Sequence, residues 1–170
     1  MQDSFESDGM ITREAGVALM VFTADCVPIL LHEPVRGAIG AIHAGWRGTA
    51  KDIAGAAVRK MVEEFGCSPA QMKAAIGPAI SKCCYETDSE VPDALRDILA
   101  IAAQDCIAIR GDKYAIDLKE ANRLLLLRAG LTDIVVSDEC TSCLGSKYWS
   151  HRRTKGIRGS QAAVILRNKI

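Results

Sequence analysis

Apolar and polar positions along the chain fall into short blocks whose period changes repeatedly. Val17–Phe22 and Val27–Leu31 are nearly continuous apolar runs of strand length, and the segment Thr23-Ala24-Asp25-Cys26 between them reads as a turn. Gly37–Ile42 predicts a third strand, ending at His43. From about Ala50 to Phe65 the pattern becomes helical, with Ile53, Ala57, Met61 and Phe65 recurring at i, i+4. Thr49 is placed to cap that helix with Asp52 at the third position, and Gly66 to end it.

Met72–Ile76 predicts a short strand running into a Gly77-Pro78 turn. A helix is expected over Glu90–Ala103, with Pro92 in the first turn, where its missing N–H removes no helical bond. Asp117 and Glu120 open a further helix, whose leucines at 124–127 are followed by a stop at Gly130. Asp133–Ser137 and Gln161–Arg167 predict strands flanking the polar, basic stretch Ser146–Gly159. Met1–Asp8 is polar and aperiodic and is expected to be loosely held. This alternation, free of linkers and repeats, favours a mixed α/β layer protein over a bundle or a β-sandwich.

Composition narrows the classes without choosing among enzymes. A chain of 170 residues suits one domain with a substantial core. Its formal net charge of zero gives no footprint for nonspecific nucleic-acid or membrane-surface binding. The apolar stretch Val17–Leu31 is interrupted by Thr23, Asp25 and Pro28 and is too short to span a bilayer. No basic segment followed by an apolar one opens the chain, as a secretory signal would. Seven cysteines, an odd number, beside a sufficient core predict a reduced, cytoplasmic protein.

The chemistry concentrates at two strand ends. Cys26 and His43 each sit where an apolar run breaks into a turn, and His43 is one of only three histidines. Such a pair supports either an activated thiolate with its base or a soft-metal site. Asp25 and Pro28 make a polar, stiff setting for Cys26. His43 is followed by Gly45-Trp46-Arg47-Gly48, where the glycines allow close backbone approach, Trp46 offers an apolar wall and Arg47 an anion fork. A third metal donor from Cys83-Cys84 is restricted, because adjacent residues of a strand point to opposite faces and at most one can join. Cys140-Thr141-Ser142-Cys143 has C-x-x-C spacing but no evident second pair to complete a zinc ribbon. Arg152, Arg153, Lys155 and Arg158 read as a solvated run or, with Arg47, as a phosphate or carboxylate clamp. No Walker or dinucleotide fingerprint occurs.

Taken in order, Thr23-Ala24-Asp25-Cys26-Val27-Pro28, His43-Ala44-Gly45-Trp46-Arg47-Gly48, Ile76-Gly77-Pro78 and Cys84-Tyr85-Glu86 resemble the successive signatures of one bacterial family. It comprises laccase-domain proteins, polyphenol oxidases, peptidoglycan-editing factors and purine nucleoside phosphorylases. Asp138-Glu139-Cys140-Thr141 through Tyr148-Trp149-Ser150-His151-Arg152-Arg153 to Gly159 is similar to its C-terminal segment, so the match runs from about Asp8 to Leu166. His151 stands where the family leads one to expect tyrosine, and no role is attached to it.

The resemblance implies a layered α-β-β-α sandwich with mixed sheets, an α/β (α+β) fold like that of cysteine-dependent hydrolases. It implies a zinc site using Cys26 and His43, and phosphorolysis of adenosine, inosine and methylthioadenosine together with deamination of adenosine. The family's third zinc ligand, a histidine in a Gln-Val-His context, has no counterpart among residues 1–170. The chain is therefore expected to be a single laccase-like domain lacking the family's N-terminal segment, with exposed sheet edges that favour self-association. Arg47 or Arg153 would hold phosphate, Trp46 would stack on the purine, and Asp25 would shuttle protons in deamination. Three histidines are too few for a multicopper centre; a single copper at Cys26 and His43 is the alternative metal. The competing readings are a copper-dependent, laccase-like polyphenol oxidase, a metal-free amidase of peptidoglycan precursors, with Cys26 as nucleophile and His43 as base, and an inactive truncated homologue.

Overall fold

A computed structural model of the chain describes residues 7–168. The core is a five-stranded sheet built from β1 (Gly9–Thr12), β3 (Val27–Glu33), β4 (Ala38–Ala44), β5 (Lys73–Ile76) and β9 (Asp133–Val136). Its order is β1-β4-β3-β5-β9, antiparallel except for the β5/β9 pair. β3 and β4 lie at its centre with both faces covered, which is why their sequences run apolar without alternation.

One face carries a two-stranded antiparallel ribbon of β2 (Ala18–Thr23) and β10 (Gln161–Leu166). Leu19 and Val21 of β2 pack with Ile39 and Ala41 of β4 beneath them. Val17–Phe22, read as fully buried, is buried on one side only: Met20 and Phe22 face outward with Val164 and Leu166. The other face carries helices: α1 (Trp46–Ala50), α2 (Ile53–Phe65), α3 (Glu90–Leu99), α4 (Ala103–Cys106) and α5 (Leu118–Arg128). Val58 and Met61 of α2 and Leu125 and Leu126 of α5 join Ile29, Leu31 and Ile76 in one cluster. A small antiparallel sheet, β6 (Glu86–Thr87), β8 (Lys113–Ile116) and β7 (Ile107–Arg110), packs beside the helices. The class is mixed α+β. Among the described residues the layers run helices, sheet, ribbon, and no helix covers the ribbon's outer side. No helix of the described residues is long and apolar enough to cross a membrane.

Local chemistry accounts for the departures from the sequence reading. The helix expected from Ala50 to Phe65 breaks at Lys51-Asp52, because Asp52 takes a positive φ of 57° and itself caps α2 through Gly55 N–H at 3.2 Å. A Cβ at position 55 would lie 2.5 Å from that carboxylate, so glycine makes the cap possible. Thr49, expected as the cap, instead donates its hydroxyl to the Gly45 carbonyl at 3.0 Å. The same hydroxyl accepts from the buried Asn122 amide at 2.9 Å, tying α1 to α5. The helix from Glu90 stops at Leu99, where Ala100 turns to a φ of 51°, and α4 resumes after one 3-10 turn. Asp117 caps α5 through Glu120 N–H at 3.0 Å, as its position predicts. Of the segment Met1–Asp8, residues 1–6 lie outside the described residues, whereas Asp8 is anchored: its carbonyl accepts from His43 N–H at 2.7 Å. The sequence reading missed β1, β6 and the β7/β8 hairpin.

Candidate functional site

The β3/β4 hairpin explains how residues 17 apart in sequence meet. Its register pairs Val27 with Ala44 and Pro28 with His43. Cys26, one step beyond the ladder, falls opposite Gly45, on the same face as Pro28 and diagonal to His43. A Cβ built on Gly45 would lie 3.4 Å from Cys26 Sγ and 3.9 Å from His43 Cε1, so the two side chains flank one side-chain-free point. Cys26 and His43 are both half-buried.

His43 Nδ1 lies 3.0 Å from Asp8 Oδ1, which fixes the ring and leaves Nε2 for Cys26. Hydrogen bonding to Cys26 pushes His43 up to about 9 against the opposing effect of burial, and Asp8 adds to the rise. A thiol, an imidazole and a carboxylate on the imidazole's far side make a donor set suited to a soft divalent cation. They also make the nucleophile, base and orienting group of a cysteine hydrolase. Among the described residues no third cysteine, histidine or carboxylate joins Cys26 and His43 in a cluster of metal-ligating atoms.

Asp25 is part of the frame beneath this pair. It is buried, with a positive φ of 86°. Its Oδ1 accepts from Thr141 Oγ1 at 2.6 Å, and its Oδ2 accepts from Ser150 Oγ at 3.1 Å and from Arg152 N–H at 2.7 Å. Every one of these donors belongs to the C-terminal segment, so Asp25 fastens that segment to the cysteine turn. The proton-shuttle role given to Asp25 from sequence requires a carboxylate whose oxygens are already engaged.

A cleft of about 270 Å³ opens beside Cys26, walled by Ile80, Tyr85, His151, Arg152 and Arg158. Burial pushes the Tyr85 hydroxyl up to about 12, against the attraction of Arg152 and Arg47. Arg47 sits on α1 with its guanidinium 4.2 Å above the Trp46 ring and 3.8 Å from Glu90, and it is largely exposed. Arg153 is turned away from the cleft. Its guanidinium donates to the carbonyls of Thr141 at 2.9 Å, Ser142 at 3.1 Å and Tyr148 at 2.9 Å. The structure thus gathers Cys26, His43, Asp25, Trp46 and Arg47 around one end of the sheet and employs Arg153 in holding a loop. Sequence reasoning missed Asp8 and Tyr85. Asp8 lay in a segment without periodicity, while Tyr85 had a legible signal in its place beside the Cys83-Cys84 pair.

Cys83 and Cys84 lie in a turn rather than a strand, with Cys84 N–H bonded to the Ser81 carbonyl at 2.9 Å. Strand alternation therefore does not separate the two side chains, and neither joins the cluster of Cys26 and His43. Both meet Cys140 and Cys143 in a cluster of four thiols, and so form the second pair that the sequence reading did not find for the C-x-x-C motif.

Residues 1–168 match the family model described as multi-copper polyphenol oxidoreductase laccase. The chain belongs to that family. It is 46% identical over 165 residues to a purine nucleoside phosphorylase, YlmD, of Geobacillus stearothermophilus, covering 95% of this chain and 60% of that protein. It is 38% identical over 151 residues to adenosine deaminase RL5 of an unknown prokaryotic organism, covering 86% and 56%. The crystal structure of the hypothetical protein YfiH of Bacillus licheniformis superposes with a TM-score of 0.92 at 39% identity, covering 95% of this chain and 62% of that one. The chain thus spans about three fifths of the length of these bacterial relatives, with which it shares the fold.

Proposed function

We propose that this chain carries the nucleoside-cleaving centre of a zinc-dependent purine nucleoside phosphorylase that also deaminates adenosine and cleaves methylthioadenosine. The observation that carries the proposal is the convergence of Cys26 and His43 on the vacant side of Gly45, with Cys26 itself lining a cleft that bears Arg152 and Arg158. The names of the phosphorylase and deaminase relatives support it. Cys26 and His43 are the residues that would hold zinc, and the ion would supply a Lewis acid beside the cleft. Asp8 holds the His43 ring through Nδ1, so that Nε2 would be the ligating nitrogen, and Asp25 holds the cysteine turn and the Arg152 segment in register. Arg47, Arg152 and Arg158 would supply positive charge for phosphate, the role that the sequence reading gave to Arg47 or Arg153. Tyr85 and Trp46 offer apolar faces to the purine.

A metal-free Cys–His amidase is the second reading, favoured by the Asp8–His43 contact, which completes a nucleophile, base and orienting acid. The deciding experiment measures phosphate-dependent release of hypoxanthine from inosine beside zinc content, for the chain and for Cys26→Ala and His43→Ala. Loss of base release together with zinc in both variants is expected. Full turnover in either variant would remove the site assignment. Turnover that survives chelation but not thiol alkylation would favour the amidase-type centre.

A further inference from the structure

Four of the six cysteines that the proposed nucleoside chemistry does not use lie together. Cys83 and Cys84 come from the turn between β5 and β6, and Cys140 and Cys143 from the turn after β9; all four Sγ atoms lie within 4.8 Å of one another. Three separations are resolved: Cys83–Cys84 at 3.7 Å, Cys83–Cys143 at 3.6 Å and Cys84–Cys143 at 3.4 Å. In a tetrahedral site with zinc–sulfur bonds of about 2.3 Å, neighbouring sulfurs stand about 3.8 Å apart, the same spacing to within a few tenths of an ångström. An iron–sulfur cluster would place its own irons and sulfides between the thiolates and hold them further apart, so the spacing favours a single ion. Four thiolate donors with no oxygen or nitrogen select a soft, four-coordinate metal.

We infer that Cys83, Cys84, Cys140 and Cys143 form a structural zinc site, separate from the Cys26–His43 centre and independent of the activity proposed for it. The surroundings are those of a built site. Ser81 N–H donates to Cys140 Sγ at 3.4 Å, the backbone-to-sulfur bond that orients a ligating thiolate. Zinc with four thiolates carries two net negative charges, and cationic side chains hold the backbone of both cysteine turns. Arg110 donates to the Cys83 carbonyl at 3.1 Å and Arg152 to the Cys84 carbonyl at 3.4 Å. Arg153 spans the carbonyls of Thr141 and Ser142, between the other two cysteines. The buried Lys119 binds the carbonyls of Ser137 at 2.7 Å and Glu139 at 3.0 Å, just ahead of Cys140. The consequence is mechanical. The ion would fasten the segment that supplies Ile80 and Tyr85 to the segment that supplies His151 and Arg152, and both segments line the cleft.

The test loads the purified 170-residue chain with zinc alone, and separately with cobalt as a spectroscopic stand-in. It uses a Cys26→Ser/His43→Ala background, in which the other centre is removed. One equivalent of zinc per chain is expected, and cobalt should give the intense thiolate charge-transfer bands and visible bands of tetrahedral four-sulfur coordination. Chelation should lower the thermal midpoint of the chain. Cys143→Ser and Cys84→Ser should each lose the four-sulfur spectrum and weaken zinc binding at least tenfold. Circular dichroism of each variant establishes that it is folded. A folded chain that takes up no zinc would overturn the inference, as would a cobalt spectrum unchanged in Cys143→Ser or a disulfide among these thiols under reducing purification.

Discussion

Replacing Asp25 by asparagine separates the two roles this carboxylate can have. As a fastener it accepts three hydrogen bonds, from Thr141, Ser150 and Arg152, all from chain more than a hundred residues away. Hydrogen bonds to a charged group contribute about 1.5–3 kcal/mol each, and contributions within one network do not add in full. Asparagine keeps the shape and tolerates the positive φ of 86°. Its oxygen can serve Ser150 and Arg152, but its amide then faces the Thr141 hydroxyl, whose proton loses its acceptor. The expected cost is about 2 kcal/mol. Glycine loses all three bonds and should cost about 4 kcal/mol. Alanine loses the same bonds and adds about 1 kcal/mol of backbone strain.

The assay is urea unfolding followed by the fluorescence of Trp46 and Trp149, with midpoints compared at a common slope. The expected order of stability is wild type, Asn, Gly, Ala. An asparagine variant within about 0.5 kcal/mol of wild type that had lost adenosine deamination would refute this reasoning. It would return Asp25 to the proton-transfer role read from the sequence. Equal stability of the alanine and glycine variants would refute the backbone part alone.

Arg153→Lys should lose most of the carbonyl bonds that knit Thr141 to Tyr148, costing about 2 kcal/mol; a raised KM for phosphate at unchanged thermal stability would show instead that Arg153 binds the anion. Gly145→Ala should destabilise in the same direction, because its Cβ would lie 2.8 Å from the Arg153 guanidinium carbon, and calorimetry of both variants checks this. Burial, with Glu120, Asp117 and Asp105 nearby, pushes the Cys106 thiol up from an ordinary 9 to about 12. The unfolded chain therefore ionises first as pH rises. The stability held by the neutral thiol is complete below pH 9 and is lost on the way to about 12. Cys106→Ala should be less stable at neutral pH but show a shallower alkaline decline; parallel declines in urea midpoint for the two proteins would contradict the burial argument.

What could be read from the sequence was what depends on short stretches. The β3 and β4 runs, the Asp117 cap and the Gly66 stop all follow from neighbours within a turn or two. The pairing of Cys26 with His43 was legible for the same reason, since two apolar runs joined by a short loop form a hairpin whose register brings their outer ends together. The break at Asp52 was not legible, because it depends on a left-handed aspartate and on the use of the Thr49 hydroxyl by Asn122, 73 residues away. The four-thiol cluster was lost to one wrong local premise. Cys83 and Cys84 were placed in a strand, and strand alternation then forbade what a turn allows. Asp8 had no pattern to betray it, because its partner is fixed only when β1 lies down beside β4.

The C-terminal segment from Asp138 to Gly159 contains turns and one isolated bridge but neither helix nor strand. A stretch of that length without secondary structure cannot hold its place by ladder hydrogen bonds, so its position must come from side chains and ligands. Asp25 and Lys119 supply it from buried positions outside the segment, and Arg153 from within it through the carbonyls of Thr141, Ser142 and Tyr148. The four thiols lie where the same segment meets the turn after β5. Residues resembling catalytic groups in the sequence are therefore of two kinds. Cys26 and His43 face the vacant point over Gly45 and have donor atoms to offer. Asp25 and Arg153 have spent theirs on making the cleft. Substitution of the second kind should remove activity by loosening the wall that carries Arg152 and Tyr85, and the loss should appear in stability before it appears in chemistry.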